Sequence, residues 1–228
     1  PWRHGEKRRL HTAPAERAVR SDSYAAPHRS SLPWGAFFIY RKKPVTNMKF
    51  IPAMVIKDPL FTKEECELLI KTYSNDLKTA KVGKGKQRSS IRKTIGVGLE
   101  VEDTRDIYDK CVQSAAFANS QYWGFDIASS DQLQLLKYTK GSHYDWHLDI
   151  GSGAHINRKL SFIVPLSSPD DYEGGELIVK AGPKDTTLSL EQGKMILFPS
   201  FILHKVSRVL SGERYVLVGW FKGKQPLR

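Results

Sequence analysis

An α+β fold made mainly of β-strands, with helices packed on one sheet, is what this sequence predicts, and three observations carry the prediction. After Trp123 the chain becomes a series of short alternating stretches cut by Gly, Pro, Asp and Ser, the pattern of an antiparallel barrel or sandwich. Before Trp123 two segments have helical spacing of their apolar residues. The length, 228 residues, is enough for one sizeable domain with its own core and room for a tail.

The elements follow in chain order. Residues 1–47 hold 10 Lys and Arg against 3 Asp and Glu, with runs such as Lys7-Arg8-Arg9 and no sustained periodicity, so they are expected to be a basic, disordered tail. The apolar stretch Leu32 to Tyr40 spans nine residues, far below the roughly 20 that a membrane helix needs. Neither a secretory leader nor a membrane span is expected. The folded domain is expected over 48–228, with Met48 near its natural start and the tail as an extension.

Met48 to Pro59 reads as a strand. Thr62-Lys63-Glu64-Glu65 is a capping box, in which a hydroxyl and a carboxylate satisfy free amides at a helix start, and the helix should run to about Tyr73. Lys78 to Lys93 contains seven Lys or Arg and no acid, and reads as an exposed loop. A second helix is expected from about Asp103 to Gln121, with Ile107, Cys111 and Ala115 on one stripe. Cys66 and Cys111 fall in these helices as buried thiols. Two such cysteines give no disulfide framework and fit a reducing, cytoplasmic compartment. The net charge is +12, and the tail carries more than half of it, so the folded part is only mildly basic.

The chemistry concentrates in Tyr138-Thr-Lys-Gly-Ser-His-Tyr-Asp-Trp-His147-Leu-Asp149, then in His204 and Arg214. Strand residues two apart share a face, so His147 and Asp149 can grip one metal ion while Leu148 points away. The stretch Lys194 to His204 reads as an apolar strand, a Pro-Ser turn and a second strand that delivers His204. Two His and one carboxylate leave metal positions open, which suits non-haem Fe(II). Arg214 opens the run to Trp220 and Phe221, and alternation puts it on one face with Val216, Val218 and Trp220. A guanidinium there needs an anion, and a dicarboxylate entering beside the metal would meet it through a two-pronged fork. His143, His155, His4, His11 and His28 read as ordinary histidines. The spacing of His143 and His147 is that of a zinc-protease helix, but Gly141 and the surrounding aromatics argue for a strand and no Glu follows His143.

With these landmarks the chain resembles the Fe(II)/2-oxoglutarate-dependent oxygenases, most closely the prolyl 4-hydroxylase-like branch that includes bacterial PKHD-type hydroxylases. The shared order is Tyr138, Gly141, Tyr144, His147-Leu-Asp149, Arg158-Lys-Leu-Ser161, Asp170-Asp-Tyr-Glu-Gly174-Gly175-Glu-Leu, Phe198-Pro-Ser, His204-Lys-Val and Gly212-Glu-Arg214. It covers about residues 130–222.

The resemblance implies a double-stranded β-helix of the jelly-roll or cupin-like kind. It implies that His147, Asp149 and His204 bind iron, that Arg214 holds the distal carboxylate of 2-oxoglutarate, and that Tyr138 and Trp220 line its pocket. Such enzymes couple decarboxylation of 2-oxoglutarate by O2, giving succinate and CO2, to hydroxylation of an unactivated C–H bond, with ascorbate as an accessory reductant. By the same resemblance the substrate is a peptide or protein, with proline as the expected target. The basic 78–93 loop would act as its lid, and Arg92 and Tyr144 would be its contacts. Two departures mark this chain. Pro165 stands where animal relatives carry a Tyr that helps hold 2-oxoglutarate, and Arg214 stands where several collagen-type members have Lys.

Three other functions stay open. An oxygenase of a free amino acid or small molecule would need the same metal site. An AlkB-like nucleic-acid demethylase would use a pair of Arg six apart, which Arg208 and Arg214 mimic, but Arg208 falls only four positions past His204; nucleic acid is not the expected partner. A non-enzymatic cupin-like binding module is disfavoured by the complete ligand set.

Overall fold

A computed structural model describes residues 52–79 and 90–227. The expected tail, and the stretch from Met48 to Ile51, lie outside the described residues, as do residues 80–89 of the basic loop. The helical half opens with strand β1 (Val55–Pro59), helix α1 (Lys63–Tyr73), and the short strands β2 (Lys78–Thr79) and β3 (Arg92–Lys93). Strand β4 (Ile95–Leu99) and helix α2 (Arg105–Tyr122) complete it. From there the chain is almost wholly β: β5 (Ser129–Ser130), β6 (Leu133–Tyr138), β7 (His143–His147), β8 (Arg158–Pro165), β9 (Tyr172–Gly174) and β10 (Leu177–Lys180). The last five are β11 (Thr186–Leu188), β12 (Lys194–Pro199), β13 (Leu203–Val206), β14 (Val209–Gly212) and β15 (Arg214–Lys222).

The strands form two main sheets. The major sheet has the order β1-β12-β8-β15-β6-β4-β2, with β5 added on β15, and the minor sheet has the order β11-β10-β13-β7-β3. The pairings are antiparallel throughout, and consecutive strands repeatedly switch sheets. This is the double-stranded β-helix, and the helices lie against one sheet, as expected.

Period-two patterning explains why the layers assemble. On β6, Leu133 and Leu135 face the helices while Leu136 and Tyr138 face inward. On β15, Tyr215, Leu217 and Phe221 face the helices while Val216 and Val218 face inward, with Trp220 packed beside them. One cluster therefore joins Cys66 and Leu69 of α1 and Cys111, Ala115 and Ala118 of α2 to the outer face of the major sheet. A second fills the space between the sheets, where Leu136, Ile163 and Phe198 meet Leu177, Val179 and Val206. Each fully buried aliphatic side chain contributes about 1.5–3 kcal/mol.

Local signals were followed closely. Thr62 Oγ1 accepts from the Glu65 amide at 3.2 Å and Glu65 Oε2 accepts from the Thr62 amide at 2.9 Å, so the capping box is formed in both directions. Helix α2 starts at Arg105 and ends at Tyr122, within two residues of its expected limits. Both cysteines are buried free thiols, and burial pushes the Cys66 thiol up to about 11 and the Cys111 thiol up to about 12. They are therefore unreactive at neutral pH. The first strand starts only at Val55, and the described ends of the basic loop are strands: β2 pairs with β4 and β3 pairs with β7. No helix among the described residues is long and apolar enough to cross a membrane.

Candidate metal and co-substrate site

The strands β7 and β13 pair so that His147 lies opposite His204. Asp149 sits just past the end of β7, where its amide and that of Ile150 both donate to the Ser200 carbonyl, at 3.0 and 3.1 Å. The β12–β13 turn thus holds the carboxylate against the two imidazoles. The candidate ligand atoms of the three residues lie within 4.8 Å of one another. Among the described residues no fourth His, Cys, Asp or Glu joins them.

The tautomers are set by the backbone. His147 Nδ1 lies 2.8 Å from the Asp145 carbonyl, and His204 Nδ1 lies 2.9 Å from the Ile202 carbonyl. A carbonyl only accepts, so both Nδ1 atoms carry the proton and both Nε2 atoms present lone pairs. Those lone pairs face the carboxylate: His147 Nε2 is 3.7 Å from Asp149 Oδ1 and His204 Nε2 is 3.6 Å from Asp149 Oδ2. Backbone acceptors of this kind are what orient imidazole ligands in metal sites. Burial, helped by the neighbouring His204, pushes the His147 pKa down to about 4. Burial works against the Asp149 carboxylate, but His204, His147 and hydrogen bonds from Ser161 and Trp220 hold its pKa below the ordinary value. Near neutrality the site thus offers a neutral His147 and an anionic Asp149, the forms that bind a divalent cation. Two imidazoles and one carboxylate on one side of a metal fit Fe(II) with open positions.

These shifts have a consequence for the metal-free protein. His147 takes up a proton near pH 6.5 when unfolded and only near pH 4 when folded, so the unfolded chain binds more protons in that window. Stability should fall as pH drops from 6.5 to 4, by up to about 3 kcal/mol from this residue, at 1.36 kcal/mol per pKa unit. The lowered pKa of Asp149 works in the same direction. Urea unfolding of metal-free wild type and His147→Gln across this range would show it, as a shallower pH slope for the variant.

Arg214 occupies the inward position on β15 that alternation predicts, opposite Tyr138 of β6. It is 1% exposed, and none of its three guanidinium nitrogens has a hydrogen-bond partner. The Tyr138 ring, whose centroid is 5.0 Å from the guanidinium, lines the cavity. A buried cation without a partner is costly, so this position is built for an anion. Close approach of the backbone makes room for the guanidinium stem: Gly175 has φ +67°, and a Cβ there would lie 3.0 Å from Arg214 Cδ. Gly175→Ala should displace Arg214 and raise the KM for 2-oxoglutarate by about 10–100-fold, the effect of a small misplacement of a binding group. Steady-state kinetics at saturating Fe(II) would measure it.

The cavity, about 620 Å³, runs from Tyr138 past His147, Asp149 and His204 to Arg92, Tyr144, Leu148, His155, Arg158 and Trp220. It thus joins every candidate site residue except Arg214, whose guanidinium lies over the Tyr138 ring. Tyr144 reaches it through a β-bulge. Three residues of β13, from His204 to Val206, stand against four of β7, from His147 to Tyr144, so both β7 side chains face inward although they are an odd number apart. The Tyr144 ring stacks on His147 at 3.5 Å, and the Arg92 guanidinium lies over the Tyr144 ring, 4.7 Å from its centroid. Trp220 lines the cavity and helps to hold the Asp149 pKa down. His143 faces away and bonds the Gly141 and Ser90 carbonyls. Arg208 is exposed and donates to the Gly141 carbonyl at 3.0 Å, so it forms no pair with Arg214 at the site.

Sequence reasoning passed over two contributors. His155, read as ordinary, lines the cavity from the loop after Asp149. Arg158, known only as a landmark, donates to the Asp149 carbonyl and lies 3.9 Å over Trp220. Its acidic partner Asp131 is 27 residues earlier, so no local pattern signals it.

The double-stranded β-helix thus carries two His and one Asp together, with a buried Arg on the facing sheet. Residues 133–222 match the family model of the 2OG-Fe(II) oxygenase superfamily. The chain is similar to PKHD-type hydroxylases. One from Synechococcus sp. (strain CC9605) is 34% identical over 140 residues, covering 60% of this chain and 63% of the relative. One from Parvibaculum lavamentivorans is 42% identical over 91 residues, covering 40% of this chain and 42% of the relative. The chain therefore spans less than two thirds of these curated relatives. A prolyl-4-hydroxylase of Pseudomonas putida has the same fold, with a TM-score of 0.63 at 18% identity over 79% of this chain and 97% of that one. So has a Trichoplax adhaerens prolyl hydroxylase, solved with a hypoxia inducible factor peptide fragment, with a TM-score of 0.65 at 15% identity over 75% of this chain and 84% of that one.

Proposed function

We propose that the chain is a hydroxylase that uses Fe(II), 2-oxoglutarate and O2 to oxidise an unactivated C–H bond of a peptide or protein, with proline as the target residue. The observation that carries the reading is the unpartnered, fully buried Arg214 set behind a two-His, one-Asp cluster. His147, Asp149 and His204 would hold the iron, and Arg214 the far carboxylate of 2-oxoglutarate, with Tyr138 and Trp220 along its path. When bound, the metal and co-substrate supply the oxidising chemistry. The protein's own residues orient and enclose: backbone carbonyls fix both imidazoles, and the apolar inner faces of the two sheets keep the cavity dry.

The peptide reading is supported by the cavity wall that Arg92 and Tyr144 form. A lid over an extended chain buries surface on both sides of the reacting residue, whereas a free amino acid offers too little area to order it. Succinate formation with a proline-rich peptide, free proline and alkylated single-stranded DNA tests the choice. The peptide should stimulate most; equal stimulation by free proline would favour a small-molecule hydroxylase, and stimulation by alkylated DNA would favour a demethylase. Arg92→Ala should raise the KM for peptide about 10–100-fold, from loss of about 1.5–3 kcal/mol of charge-assisted contact. The KM for 2-oxoglutarate should stay unchanged.

A further inference from the structure

Asp149 is held by more than its neighbours in the cluster. Ser161 and Trp220 both favour the charged form of its carboxylate. Its backbone carbonyl accepts from Arg158 Nη1 at 3.2 Å. The same guanidinium lies over Trp220, its central carbon 3.9 Å from the ring centroid. Arg158 is 8% exposed, and its orientation is set from behind: Nε donates to Asp131 Oδ2 at 2.8 Å. The other Asp131 oxygen meets Lys222 Nζ at 2.6 Å. Backbone bonds close the unit, since the Asp131 amide donates to the Trp220 carbonyl at 2.8 Å and Arg158 pairs in register with Lys222.

We infer that Asp131 and Arg158 are positioning residues for the metal-binding carboxylate, and that they act through Trp220 and the Asp149 backbone. The inference rests on the iron site proposed above. A planar guanidinium can bond Asp131, bond the Asp149 carbonyl and stack on the indole at once, which an ammonium cannot. With Arg158 clamped on both sides, the indole N–H and the Asp149 main chain are fixed before any metal arrives. A loosened clamp would let the carboxylate rotate away from the two Nε2 atoms. Arg158 faces the cavity as well, so the competing assignment is direct contact with substrate.

Mn(II) alone, titrated into the full chain without 2-oxoglutarate and followed by loss of the free-ion paramagnetic resonance signal, separates these assignments. Asp131→Asn and Arg158→Lys should each raise the apparent Kd by about 10–100-fold, the usual effect of disturbing the groups that hold a ligand. Lys222→Met removes the other ion pair of Asp131 but touches neither Trp220 nor the Asp149 carbonyl, so its Kd should match wild type. If Asp131→Asn fails to fold, Trp220→Phe takes its place, because it keeps a ring for the stack and deletes the indole N–H; it should weaken Mn(II) binding similarly. Wild-type Mn(II) affinity in Arg158→Lys together with Asp131→Asn, or its substitute, would overturn the inference and leave the iron reading intact. Equal weakening by Lys222→Met would overturn it too, as a general loss of stability. A wild-type chain that takes up no Mn(II) would remove the iron reading itself.

Discussion

Replacing Arg214 by methionine should make the unliganded protein more stable while it destroys the use of 2-oxoglutarate. The Arg214 side chain is among the largest fully buried ones of the described residues, and none of its guanidinium nitrogens has a hydrogen-bond partner. An unsatisfied buried polar group costs about 1–3 kcal/mol, and more when charged. Methionine fills a similar volume without the charge, so the urea midpoint of the metal-free protein should rise. In the loaded enzyme the sign reverses. A carboxylate buried without its partner loses about 2–5 kcal/mol, or about 30- to 5,000-fold in the KM for 2-oxoglutarate. Mn(II) affinity should stay near wild type, because Arg214 touches none of the three ligands. Chemical denaturation, metal titration and succinate kinetics on one variant read all three outcomes, and an unchanged KM would assign Arg214 another role.

His204→Ala should abolish metal binding and 2-oxoglutarate turnover together. The imidazole is 3% exposed, its proton is committed to the Ile202 carbonyl, and its lone pair faces Asp149. Even groups that only orient a metal ligand are worth about 10–100-fold in affinity, so loss of one of three ligands should exceed that range. Mn(II) titration and succinate formation check it. Wild-type-like succinate production by this variant would end the assignment of the site.

Much of this arrangement was legible because it depends on short-range rules. Period two places Arg214, Val216, Val218 and Trp220 on one face, and the structure has all four inward. The capping box at Thr62 depends on four consecutive residues and is formed as written. Tyr144 was out of reach of that reasoning, since strict alternation puts it on the face opposite His147. A bulge is a property of the pairing with β13 and not of β7 alone. Likewise β3 hides in a run of basic residues whose composition signals exposure, and only its pairing with β7 turns Arg92 inward. The Asp131–Arg158 clamp joins residues distant in sequence through the fold, and charge patterning carries no trace of it.

The division of the site between two sheets has a dynamic consequence. His147 and His204 belong to neighbouring strands of the minor sheet, and Asp149 follows directly after one of them. A metal ion there ties strands that are already paired. Arg214 belongs to the major sheet, so a co-substrate that spans from the metal to its guanidinium is the tie between the two halves of the barrel. Amide hydrogen exchange should register the two ligands differently. Metal alone should slow exchange in β7 and β13, and the addition of 2-oxoglutarate should extend the slowing across to β6 and β15.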